Sequence, residues 1–134
     1  MRVVFDTNIY ISAFVIPGSQ AERAILKIIE GEDHLLISTD IIGEVLSVLS
    51  SKFGRDREAL SHVAVTLSEL AEMVTPRGTI NIFRHQPDNR ILECAISGQA
   101  DLLVTGDKDM LQARQYRGVK IISLKEYVES HLPI

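Results

Sequence analysis

The chain has 134 residues, 46% hydrophobic and 24% charged, with a net charge of −4 at pH 7. That length supports one core of ordinary size, so a single domain over residues 1–134 is expected, and the composition excludes a disordered or fibrous chain. The negative balance excludes a module that holds nucleic acid by positive charge alone, but not an enzyme whose acids hold metal ions, because bound cations reverse the local field.

Residues 3–5, "VVF", read as a buried strand that runs into Asp6, and Asp6 with Thr7 and Asn8 can cap a first helix. No apolar stretch is long enough to span a bilayer, and Met1-Arg2 leads into Val3 without a signal-peptide h-region. An intracellular, cytoplasmic protein with no membrane partner is expected. Ser19 with Glu22 is a capping box for a helix over 21–30, and Gly31 stands where that helix should end. A second strand covers 35–38. The helix predicted over 40–53 carries Ile41, Ile42, Val45, Leu46, Leu49 and Phe53 on one broad stripe and stops at Gly54. Another runs from Asp56 to about Met73, with a short strand over 73–75.

Residues 75–89, "TPRGTINIFRHQPDN", form the one long irregular connection, and such loops are often functional. An amphipathic helix over 88–98 follows through Ile91, Leu92, Ala95 and Ile96. Cys94, the single cysteine, can form no internal disulfide and no cysteine cage, and its apolar neighbours predict a buried core thiol. Strands are predicted over 102–105 and 119–123, and Ser123 with Glu126 forms a second capping box for a C-terminal helix. Short apolar strands alternating with helices predict an α/β fold with a parallel sheet.

Four carboxylates stand out. In open α/β sheets, ligands bind beyond the carboxyl ends of the strands, where Asp6 and, in "LLVTGDKD", Asp107 are placed. Glu44 lies at the margin of its helix's apolar stripe, where a solvated glutamate is out of place. Asp88 stands at a helix start, which favours an anion. Taken singly, Asp88 reads as an N-cap, Asp107 as a turn residue, Glu44 as a glutamate reaching water, and Asp6 equally as cap or ligand. Together they need compensation: two like charges ~4 Å apart repel by roughly 4 kcal/mol at an effective dielectric near 20. An all-oxygen set without clustered His or Cys suits Mg²⁺ or Mn²⁺ rather than Zn²⁺.

The stretches "VVFDTNIYISAF", "TDIIGEVLSVL", "PDNRILECAISGQADLLVTGDKDML" and "VKIISLKEYV" resemble the PIN-domain family, in particular bacterial and archaeal VapC-like toxins, from Val3 to about Leu132. The resemblance implies a three-layer α/β/α sandwich with a central parallel sheet. It also implies an endoribonuclease that uses Mg²⁺ or Mn²⁺, acting as the toxin of a toxin–antitoxin pair. Asp6, Glu44, Asp88 and Asp107 match the family's catalytic and metal-holding acids. On that pattern Asp6, Asp88 and Asp107 hold the ion that activates water, while Glu44 binds a second ion or orients the water. Asn8 and Thr105 match supporting positions that fix carboxylate orientation, and Asp109 matches an occasional extra acid. Gln86 departs from the pattern, standing where relatives often carry another acid. The implied partners are an RNA substrate, a small antitoxin and a second copy of the chain in a homodimer or larger homo-oligomer.

Of the histidines His34, His62, His85 and His131, only His85, in the irregular connection, is placed to touch substrate. Arg84, Arg90, Lys108 and Arg114, with Lys52, Arg55 and Arg57, are available to neutralise flanking phosphates. Aromatic content of 5% leaves little stacking surface for bases. Competing classes are a non-catalytic PIN-fold binding module, a DNA-directed metallonuclease and a phosphoaspartyl domain. The last fits less well. A dehalogenase-like site wants a second aspartate at position 8, where Asn8 stands, and a receiver-like site wants paired acids where Phe5 precedes Asp6.

Overall fold

The computed structural model describes residues 1–129. In chain order the elements are β1 (Arg2–Phe5), α1 (Thr7–Val15), α2 (Gln20–Ile29), β2 (His34–Ile37), α3 (Thr39–Phe53), α4 (Arg57–Leu70) and β3 (Glu72–Met73). There follow α5 (Gln86–Ser97), β4 (Leu102–Thr105), α6 (Lys108–Ala113), β5 (Gln115–Tyr116), β6 (Val119–Ser123) and α7 (Leu124–Glu129). The strands form one sheet in the order β3-β2-β1-β4-β6-β5, flanked by helices.

The apolar runs fold this way because both faces of the central strands are covered. Val3, Val4, Phe5, Leu36, Ile37, Leu103 and Val104 are fully buried, as near-continuous hydrophobic parallel strands require. Phe5 packs its ring edge-on against Tyr127 at 5.5 Å and tilted against Tyr10 at 5.9 Å, tying β1 to α7 and α1. Helix α5 packs on β1, β2 and β4, while α7 covers β4 and β6 and touches α2. Cys94 lies in this core, where burial pushes its thiol up to about 12. No described helix is long and apolar enough to cross a membrane.

Strand β1 pairs with β2 on one side and β4 on the other, both parallel. The chain reaches β2 through α1 and α2 and returns to β4 only after β3, so the strand order reverses at β1. That is a topological switch point, where α/β sheets bind ligands.

Several expectations are corrected. The sheet is parallel except at its edge, where β5 pairs antiparallel with β6. Strand β5 and the six-residue α6 escape a periodicity reading because each is too short to show a repeat. Helix α4 stops at Leu70 because Ala71 turns extended and the next residues pair with β2, so β3 lies at 72–73 rather than 73–75. Helix α5 starts two residues early, at Gln86, because Pro87 needs no hydrogen-bonded N–H in a first turn. Asp88 is therefore not the N-cap: that position belongs to His85, whose side chain makes no capping bond. Phe53, counted on the buried stripe of α3, is 44% exposed.

Candidate active site

Asp6 follows β1, and Thr105 ends the neighbouring β4. The register that sets Phe5 beside Val104 brings these next residues level. Thr105 Oγ1 donates to Asp6 Oδ2 at 2.6 Å, and the backbone N–H of Asn8 donates to Oδ1 at 3.3 Å. Asp6 is thus also the N-cap of α1. Thr105 Oγ1 accepts from the Asp107 N–H at 3.0 Å, and Asp107 Oδ1 caps α6 by accepting from the Met110 N–H at 3.1 Å. One buried hydroxyl therefore orients the carboxylate of one strand end and the backbone of the next.

Helices α3 and α5 supply the other two acids. Glu44 is half-buried on α3, and Asp88 sits in the first turn of α5, close to the helix's positive end. Asp6, Glu44, Asp88 and Asp107 line a single cleft of about 240 Å³. Asp6 does cap its helix, and Asp107, read singly as a turn residue, caps α6; neither role uses up the carboxylate, since each oxygen that accepts a capping bond retains a second lone pair.

The electrostatics are those of crowded acids. Asp6 is 4% exposed and burial raises its carboxyl above the ordinary range; the Thr105 and Asn8 bonds pull it down, and the charge on Asp107 pushes it up again. Burial pushes Asp88 up to about 6, with the charges of Asp107, Asp6 and Asp109 adding and His85 opposing. The four acids share the cleft without closing on a point. No group of three acidic, histidine or cysteine side chains among the described residues is drawn together tightly enough to enclose an ion. By donor chemistry the set fits a hard divalent cation, which would offset the repulsion that raises Asp6 and Asp88.

The supporting positions separate. Thr105 is fully buried and bonded to Asp6. Asn8 acts through its backbone N–H, while its side chain is exposed at the rim. Asp109 is exposed in the first turn of α6, outside the cleft, and is felt only through its charge on Asp88. His85 lines the cleft, whereas His34 pairs with Glu72 at the far edge of the sheet. His62 is exposed on α4, and His131 lies outside the described residues.

Sequence reasoning missed how the 74–85 connection is held. Asn89, fully buried, accepts from the N–H groups of Ile82 and Phe83 and donates to the Phe83 carbonyl. Glu93 accepts from the Ile80 N–H at 2.8 Å and pairs with Arg90 at 2.8 Å. The available signal was spacing: Asn89 and Glu93 lie one turn apart on α5, polar residues on a helix otherwise rich in core positions.

The PIN domain family model matches residues 2–109. The uncharacterized protein MJ1680 of Methanocaldococcus jannaschii is 26% identical over 132 residues, covering 93% of this chain and 84% of the relative. Among solved structures, VapBC2 from Rickettsia felis, bound to a DNA fragment from its promoter, superposes with a TM-score of 0.66 at 14% identity, covering 92% of this chain and 98% of the other. VapBC-1 from nontypeable Haemophilus influenzae gives a TM-score of 0.63 at 16% identity, covering 93% and 99%. At those identities the likeness is one of fold.

Proposed function

The chain belongs to the PIN domain family, and from that premise we propose that it is a Mg²⁺- or Mn²⁺-dependent endoribonuclease, the toxin of a toxin–antitoxin pair. The observation that carries the proposal is that Asp6, Glu44, Asp88 and Asp107, drawn from four separate segments, line one cleft at the switch point of the sheet. These four would hold the cation, which when bound lowers the pKa of water and polarises a phosphoryl oxygen.

The rest is the work of the chain itself. Thr105 fixes the rotamer of Asp6 and the start of the Asp107 turn. The first turn of α5 holds Asp88 with its negative charge facing other acids. His85 offers a polar contact on the cleft wall. No histidine general base is required.

An antitoxin partner is supported by an apolar groove of about 320 Å³ between α1, α2 and α4, lined by Phe14, Ile25, Ile29, Leu67 and Leu70. Ile29 is 62% exposed there, and exposed apolar grooves accept amphipathic helices. A homodimer and a cytoplasmic location belong to the same proposal.

The test is cleavage of labelled single-stranded RNA by the purified protein with Mn²⁺, with Mg²⁺ and with chelator, beside Asp6→Asn and a DNA strand of the same sequence. Metal-dependent cleavage of RNA, lost in the variant, is expected. Equal cleavage of DNA favours the DNA-directed reading. The second reading, a PIN-fold binding module, draws on the absence of a closed cage among the described residues; RNA retention without cleavage by either metal favours it.

A further inference from the structure

Seven cations lie near the acidic motifs in sequence, and the fold sorts them. Arg90 is committed: its guanidinium pairs with Glu93 and donates to the carbonyl of Ile80 and to Gln86. Arg55, Arg57, Arg84, Lys108 and Arg114 do not line the acid cleft. Lys52 does, and His85 is the one other basic residue on its wall.

Lys52 reaches the cleft through helix geometry. Glu44, Val48 and Lys52 are spaced by four, which sets them in one row on α3, and all three line the cleft. At 1.5 Å per residue, Lys52 stands about 12 Å along the helix from Glu44. It forms no ion pair with the acid on its own row or with any other described residue. An exposed lysine thus shares one cleft with four carboxylates, about two helical turns along α3 from the nearest acid on its own row.

A polyanionic substrate entering that cleft meets repulsion at every flanking phosphate. A cation on the cleft wall offsets this and sets which way the strand lies, without contacting the scissile bond. We infer that Lys52 is the phosphate-anchoring residue of the site, holding a backbone phosphate that flanks the cleaved linkage; this rests on the nuclease reading above.

Lys52 is also a basic residue in the last turn of α3, where it complements the helix dipole. That role would show in stability. The anchoring role would show in substrate affinity and its dependence on salt.

The experiment compares wild-type protein with Lys52→Gln, Lys52→Arg and Lys125→Gln in steady-state cleavage of labelled single-stranded RNA across a salt series, with melting curves for each. Lys125 is exposed on α7, away from the cleft, so its variant controls for net charge. Lys52→Gln should raise KM several-fold with kcat unchanged, and flatten the slope of log(kcat/KM) against log salt by about 0.7, the value for one single-strand phosphate contact. Lys52→Arg should restore both, and Lys125→Gln should alter neither. If Lys52→Gln matches Lys125→Gln in KM and slope, or changes only the melting temperature, the inference is overturned while wild-type cleavage stands. If wild-type protein cleaves no RNA with either metal, the nuclease reading has failed and takes this inference with it.

Discussion

Thr105 Oγ1 lies 2.6 Å from Asp6 Oδ2, a bond between residues 99 apart in sequence that joins the ends of two adjacent parallel strands. Both groups are buried, so the bond is shielded from water, and hydrogen bonds to charged groups contribute about 1.5–3 kcal/mol. Thr105→Val keeps the shape and removes the donor. It should destabilise the protein by about that amount in urea unfolding and lower activity by about 10- to 100-fold through a misaligned Asp6. Thr105→Ser should retain most of both.

The raised carboxyl of Asp88 gives a pH signature. Its folded value, about 6, lies above the ordinary 3.8, so between the two the native state binds more protons than the unfolded state. Stability contributed by this group therefore falls as pH rises through that window and is lowest above about 6. In chelator, Asp88→Asn should melt at a higher temperature than wild type at pH 7.5, and the gap should close towards pH 4. A gap that widens on acidification would show that Asp88 is stabilised as the anion.

The positions of Asp6 and Asp107 were legible because a carboxylate one or two residues past an apolar strand has few other places to go. Register was not legible: nothing local to "LLVT" or "VVF" states that Phe5 pairs with Val104, yet that pairing makes the Thr105–Asp6 bond. Asp88 was legible as an anion at a helix's positive end, and only its competing reading as the N-cap failed, since proline tolerance at a helix start moved the boundary back to Gln86. Lys52 was visible only as part of a basic run, because its place in the cleft depends on which face of α3 meets α5. Asn89 and Glu93 were read past, since their partners are backbone groups of an irregular segment that carries no periodic signal.

Asn89 organises that segment with two accepted bonds and one donated bond to residues 82 and 83. Asn89→Ala leaves those backbone groups unsatisfied and should cost about 2–3 kcal/mol. Hydrogen exchange at Ile82 and Phe83 should accelerate more than exchange in β1 or β4. Because His85 adjoins this segment, KM should rise as well.

Gly98 marks a close approach that has nothing to do with the site. A Cβ there would stand 2.8 Å from Leu36 Cδ1, 3.0 Å from the Cys94 carbonyl oxygen and 3.0 Å from Val74 Cγ2. Overpacking of this kind costs about 1–3 kcal/mol. Gly98→Ala should lower the urea midpoint while leaving KM and the metal dependence of the folded protein unchanged. A change in metal dependence would mean that α5 transmits strain to Asp88.

The central claim is that four carboxylates, from the N-caps of α1 and α6 and from α3 and α5, act as one cation site. Calorimetric titration of Mn²⁺ into wild-type protein and into Asp6→Asn, Glu44→Gln, Asp88→Asn and Asp107→Asn tests it without any substrate. Saturable binding by the wild type, weakened by each of the four substitutions in protein that still melts cooperatively, is the predicted result. Mn²⁺ affinity unchanged across all four variants would contradict the account.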